Sequence, residues 1–262
     1  MTGKSPPALR VEIIPTHGIV EAVASQLRSG TTLTVTCLPH HGVERTMETA
    51  SALADRGYNA VPHLAARSIS TRQQLVGILK QCSAAGITEV FTIGGDKGRP
   101  DGPYASSGAL MQEIEDISGH SLRMGVGGYP EGHPAMSTQQ LADSLMAKHQ
   151  LADYLVTQMC FSAGTIESYI AGLRQVGIEL PVWAGVAGAI PRTKLVGLAT
   201  KIGVGSSLRF LSGQGSLGRR LLGGSKYSPE PLMEQLAAVE TPLAGIHLYS
   251  FNNFAGIAEG PL

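Results

Sequence analysis

Short runs of β-branched and apolar residues alternate along the chain with longer segments of helical spacing, the pattern of βα units repeated around a parallel sheet. Strands are predicted over residues 9–14, 32–36, 59–63, 88–94, 122–127, 153–158, 181–186 and 244–249, eight in all. Helical stripes lie between them. Residues 43–56 carry Val43, Met47, Ala50 and Leu53 on one face, and similar patterns run over 70–84, 105–117, 137–150 and 164–175. Several close on glycine, at Gly57, Gly86 and Gly177, the residue type that best supplies the left-handed position after a helix. Residues 205–231 are richer in Gly, Ser and Pro and read as a mobile connection before the last unit.

Eight such units predict an α/β fold, a single (β/α)8 TIM barrel with residues 1–262 as one domain. The segment after the first strand reads P-T-H-G-I-V, so the G-x-G-x-x-G fingerprint of a dinucleotide-binding sheet is absent. Length agrees, since 262 residues match a barrel of about 250. With 43% hydrophobic and 15% charged residues, the composition is that of a packed domain and not of a disordered chain. Twenty basic residues balance twenty acidic ones and no basic run is present, which argues against a nucleic-acid partner. The same neutrality gives little self-repulsion and leaves a homo-oligomer open. Cys37, Cys82 and Cys160 are far apart and lack C-x-x-C spacing, so neither a disulfide framework nor a cysteine zinc site is expected and a reducing cytoplasm fits. The opening M-T-G-K-S-P-P has no apolar core, and no apolar run approaches the roughly 18 residues of a membrane span, so neither export nor membrane insertion is expected.

In a barrel of this kind the active site is built at the carboxyl ends of the strands. Polar groups stand at nearly every one: Glu12 near the end of the first, then Thr36, His63, Asp96, Tyr129 with Glu131 and His133, Gln158, and finally Tyr249 with Asn252. Packing explains such a set poorly, because buried polar atoms lose free energy unless partnered. A single Thr or Tyr at a strand end is ordinarily a satisfied rim residue. Glu12 differs, because an acid between Val11 and Ile13 in an apolar strand should face the barrel interior while its neighbours face the helices.

The motifs V-E-I-I-P, P-H-L at 62–64, G-G-D at 94–96, Y-A-S at 104–106, Y-P-E-G-H-P at 129–134, T-Q-M-C-F at 157–161 and L-Y-S-F-N at 248–252 occur in one order over residues 9–256. In this the chain resembles the methylenetetrahydrofolate reductase family. The resemblance implies a folate substrate and reduction of 5,10-methylenetetrahydrofolate to 5-methyltetrahydrofolate, or the reverse oxidation in one-carbon catabolism. It implies NAD(P)H as electron donor, NADH favoured, with FAD as the usual relay. Glu12 matches the family's acid, and a carboxyl shielded in a barrel mouth can hold its proton near neutral pH because desolvation disfavours the charge. Asp96 matches the aspartate that meets the pterin and steadies developing positive charge, Gln158 a glutamine that reads the folate, and Tyr249 and Asn252 lie at the same end. Thr36, His63, Tyr104, Ala105, Tyr129, His133 and Lys148 fall where the family meets its cofactor. Two departures bear on FAD. Gly94 and Ala147 stand where basic residues are usual, which removes charge-assisted donors to a diphosphate and leaves flavin-bound and flavin-free versions both open.

Two other classes compete. His40, His41, His63, His133 and Asp96 invite a metal-dependent barrel hydrolase, but no H-x-H or H-E-x-x-H pair is present and no metal is expected. A non-catalytic folate-binding or methyl-transferring barrel has no need of an inward acid at position 12.

Overall fold

The computed structural model describes residues 8–191, 194–195, 197, 226–239 and 241–257. Eight parallel strands close into one barrel in sequence order: β1 (Leu9–Ile13), β2 (Thr32–Val35), β3 (Asn59–Ala65), β4 (Glu89–Ile93), β5 (Arg123–Gly128), β6 (Tyr154–Thr157), β7 (Val182–Ala187) and β8 (Gly245–Tyr249). Each lies within a residue or two of its predicted run. Around them stand α1 (Ile19–Gln26), α2 (Gly42–Ala54), α3 (Arg72–Ala84), α4 (Ser107–Ser118), α5 (Thr138–Met146), α6 (Ala163–Gln175) and α7 (Glu230–Ala238). No helix among the described residues is long and apolar enough to cross a membrane.

The helices form where local chemistry supports them. Thr71, Ser106, Ser137 and Ser162 cap α3, α4, α5 and α6 by accepting a backbone N–H in the first turn, and at α5 Gln140 reaches back to complete a capping box. Gly86 and Gly177 take φ of 67° and 79°, the left-handed geometry expected of residues that end α3 and α6. Where the predicted helix 137–150 was continuous, the chain stops at Met146 and resumes as a 3-10 turn over His149–Leu151. Lys148 between them has φ −130° and is buried, so the turn follows its side chain inward. α7 begins at the edge of the segment read as a mobile connection. Its prolines, Pro229 and Pro231, sit at the helix start, where the missing N–H would have had no partner. Residues 205–225 of that connection lie outside the described residues.

Period-two alternation decides the interior. Val11, Ile13, Leu33, Val35 and their counterparts face the helices as one large apolar cluster, while Arg10, Glu12, Thr34 and Phe91 face inward. At the amino-terminal end the interior is plugged. Arg10 lies between the rings of Tyr154, at 4.3 Å, and Trp183, at 4.1 Å, and its guanidinium is paired with Glu89, which also takes Arg123 at 3.3 Å. An ion pair this enclosed persists because every charge has a partner and the cation stacks on aromatic faces. Above it Val61, Phe91, Tyr154 and Val156 form a small apolar layer.

That plug needs a glycine beside it. A Cβ at Gly125 would lie 2.2 Å from the ring of Tyr154, so Gly125→Ala should force Tyr154 off the Arg10 stack. We expect a loss of about 1–3 kcal/mol in urea unfolding, the usual cost of overpacking; an unchanged midpoint would show that the ring is not held there.

Candidate functional site

The carboxyl ends of the strands bring a small set of buried polar groups together around Glu12. Its register partners are Thr34 on β2 and Tyr249 on β8. Glu12 Oε2 stands 3.1 Å from His247 Nε2 and 3.7 Å from His63 Nε2. The first distance is a hydrogen bond and the second is an approach without one. Both imidazoles are almost wholly enclosed, at 1% and 5% exposure, while the carboxyl keeps a narrow opening. Each ring is braced by an aromatic neighbour: His63 against Phe91 with centroids 4.8 Å apart, His247 against Tyr249 at 4.9 Å.

Several polar atoms here have no hydrogen-bond partner among the described residues. They are Thr34 Oγ1, Thr36 Oγ1, His63 Nε2 and His247 Nδ1, all buried. Such atoms are costly unless water or a ligand meets them, and with Glu12 they make this end of the barrel the candidate polar site. Burial lowers the pKa of His63 to about 4; the charge of Glu12 opposes this and that of His247 adds to it. His63 is therefore a neutral imidazole at neutral pH.

The expected site residues distribute unevenly. Glu12 and His63 approach each other as described, and Thr36 stands just past β2 with its N–H on Ile13 O and its buried hydroxyl unpartnered among the described residues. Gln158, half-buried, accepts the N–H of Met159 on its Oε1 at 2.8 Å, and its amide nitrogen has no partner among the described residues. Asp96 is exposed in the loop after β4, near enough to Tyr129 that its charge, after burial, helps raise that phenol's pKa. Tyr129 and His133 meet edge to face at 5.2 Å. Tyr249 turns its hydroxyl to the carbonyl of Thr157 at 2.9 Å, and burial, with Glu12 beside it, holds its pKa well above that of a free phenol. Asn252 directs both ends of its amide at the backbone of Ile14. Tyr104 packs in the core between barrel and helices, its nearest charges being Glu113 and Arg72, while Ala105 is exposed and its carbonyl takes Arg67 Nε at 3.1 Å. Lys148, only 8% exposed, donates to Ser107 Oγ at 2.8 Å in the first turn of α4, and burial pushes its pKa down.

Two features were missed. His247 sits between Ile246 and Leu248, the same polar-among-apolar signal that singled out Glu12 in β1. Cys160, fully buried, donates its thiol to Glu131 Oε1 at 3.2 Å and so ties the loop after β6 to the Y-P-E-G-H-P segment. Burial pushes that thiol up to about 12, which makes it a protonated tie and not a nucleophile. Among the described residues no group of three His, Cys, Asp or Glu side chains is arranged to hold a metal.

Fold and site together define a (β/α)8 barrel with a carboxyl and two imidazoles gathered at its open end. The sequence profile of methylenetetrahydrofolate reductase matches residues 19–198, which is most of the chain. The chain belongs to the methylenetetrahydrofolate reductase family. Glu12 and His247 lie outside the matched stretch, on the first and last strands of the barrel. Among curated proteins it is similar to a probable methylenetetrahydrofolate reductase (NADPH) of Caenorhabditis elegans, 27% identical over 117 residues, which are 41% of this chain and 17% of that protein. It is also similar to methylenetetrahydrofolate reductase 1 of Schizosaccharomyces pombe, 27% identical over 134 residues, 47% of this chain and 22% of the relative. The aligned part of the chain thus spans about a fifth of these relatives. Among solved structures, oxaloacetate acetylhydrolase with oxalate superposes with a TM-score of 0.54 at 9% identity over 96% of this chain and 78% of the other. The same enzyme with 3,3-difluorooxaloacetate gives 0.54 at 10% identity, over 97% and 78%. At that identity the likeness speaks for the fold alone.

The enclosure of His63 has a consequence for stability. Its folded pKa lies below the unfolded 6.5, so between about pH 6.5 and 4 the unfolded chain binds a proton that the native state refuses. The stability is complete above pH 6.5 and falls as pH drops through that window. From pH 7.5 to 5 the loss from this one group should be about 2 kcal/mol in urea unfolding. His63→Gln should flatten that part of the pH profile, and a mutant profile as steep as the native one would count against a neutral His63.

Proposed function

We propose that this chain interconverts 5,10-methylenetetrahydrofolate and 5-methyltetrahydrofolate, with a reduced nicotinamide as the hydride donor. The observation that carries the reading is the inward carboxyl of Glu12, set among buried polar atoms that lack partners, in a member of this family. Reduction must open the five-membered ring of the substrate. Protonation at N10 releases it and leaves an iminium at N5, whose carbon accepts hydride. Glu12 is the acid of this step. His247, hydrogen-bonded to a Glu12 carboxyl oxygen, fixes the direction of that carboxyl. Neutral His63 keeps positive charge away from the place where the substrate itself becomes cationic. Asp96 and Gln158 present acceptor and donor groups for the pterin, Asp96 from the exposed loop and Gln158 through its unengaged amide nitrogen.

The residues present suit a flat ring with polar edges better than they suit the diphosphate of FAD. Thr36 and His63 offer unpartnered polar atoms to a ring. On the rim from β3 to β6, Lys148 is buried on Ser107, Arg67 is engaged by the carbonyls of Ala105 and Lys97, and Lys97 pairs with Asp101. These three cations already have protein partners, while exposed Arg99 in the loop after β4 has none among the described residues, and no step is routed through flavin. The nicotinamide supplies hydride; the protein orients the folate, delivers one proton and keeps water from the iminium. The direction of net flux follows from the supply of reactants, because one site serves both.

The test is nicotinamide oxidation on mixing with methylenetetrahydrofolate, alongside a visible absorption spectrum of the pure protein. Oxidation that requires the folate and proceeds without flavin absorbance is the expected result. Glu12→Gln should lower kcat by about 10²- to 10⁴-fold with little change in folate affinity. A wild-type protein that binds folate without consuming nicotinamide would instead be a binding barrel.

A further inference from the structure

We infer that Asn252 and Ser250 are positioning residues that clamp the backbone on either side of the Glu12–Ile13 step and so aim the Glu12 carboxyl into the mouth. The inference rests on the reading of Glu12 as the acid for its kinetic consequence, and on geometry alone for the clamp.

Paired β1 and β8 run in register only as far as Glu12 and Tyr249. On the other side β2 still holds the end of β1, through Thr36 N–H to Ile13 O at 3.0 Å. Beyond Tyr249 the chain turns sharply. Phe251 and Asn252 take φ of 51° and 61°, two successive non-glycine residues in the left-handed region. Asparagine tolerates that conformation and phenylalanine adopts it rarely, so the pair persists only where the surroundings impose it.

The surroundings here are the backbone of β1. Asn252 Oδ1 accepts the Ile14 N–H at 2.8 Å, and its Nδ2 donates to Ile14 O at 2.9 Å and to Thr16 Oγ1 at 3.1 Å. One side-chain amide thus replaces the ladder bonds that β8 no longer provides. Fully buried Ser250 donates its hydroxyl to Glu12 O and accepts the Asn252 N–H at 3.1 Å, while its own N–H reaches Glu12 O at 3.3 Å. The carbonyl of Glu12 and both polar groups of Ile14 are therefore held by residues 250–252. In this geometry the Asn252 amide serves the protein's own backbone. On the β8 side strand pairing stops at Glu12 itself, so the backbone that follows the acid is held by this clamp, and a shift of about 1 Å in a catalytic group can cost up to about 10²-fold in rate.

The test compares wild type with Asn252→Ala and, as a milder lesion, Ser250→Ala. For the reaction, kcat should fall about 10- to 100-fold in Asn252→Ala, with KM and tetrahydrofolate affinity kept within about twofold. A raised KM at unchanged kcat would make Asn252 a substrate contact and overturn the inference, as would unchanged kinetics. The imidazole signals of His247 in NMR give a second reading that needs no turnover, because loosening β1 must alter its hydrogen bond to Glu12. They should shift in both variants. If wild type consumes no nicotinamide with methylenetetrahydrofolate, the reductase reading fails while the His247 signals still judge the clamp; signals that coincide with wild type sink the clamp whatever the activity.

Discussion

A closed parallel barrel allows no inward position to be neutral in its consequences: each second residue of every strand meets the others in one enclosed space. Here that space is divided by charge. At the amino-terminal end Arg10 is stacked between Tyr154 and Trp183 and neutralised by Glu89, so the floor is solid. At the carboxyl end Glu12 meets two imidazoles and several unpartnered polar atoms, so the mouth is polar and incomplete. The apolar layer of Val61, Phe91 and Val156 separates the two. Low permittivity between them keeps each set of charges dependent on its immediate neighbours.

The fold was largely legible because hydrophobic periodicity reports the two faces of each strand. Val11 and Ile13 outward with Glu12 inward is a pattern that only a strand with two different environments produces. Glycines and prolines were legible where they act by backbone conformation, as at Gly86 and Gly177, and misleading at Pro229 and Pro231, which begin α7. A proline disfavours the interior of a helix and favours its first turn, so composition alone assigned that stretch to a connection.

The site was legible one residue at a time and not as an arrangement. Glu12 and His63 were singled out separately, and nothing in their spacing says that they approach one carboxyl oxygen, since β1 and β3 become neighbours of that oxygen only through strand tilt and closure. His247 carried the same signal as Glu12 and belonged with it. The destinations of Tyr104, Lys148 and Asn252 depend on tertiary packing: a phenol in the helix layer, an ammonium on Ser107, an amide on the Ile14 backbone. Polar residues near strand ends announce a rim; which of them face a ligand and which fasten the rim together is decided by hydrogen bonds between loops.

The stacked arginine at the base carries one more implication. With that end filled by side chains, the carboxyl ends of the strands are the side from which solvent or a ligand reaches Glu12. A flat molecule lying across those strand ends would screen the carboxyl from bulk solvent, so its exchange with water would be interrupted for as long as the molecule stayed.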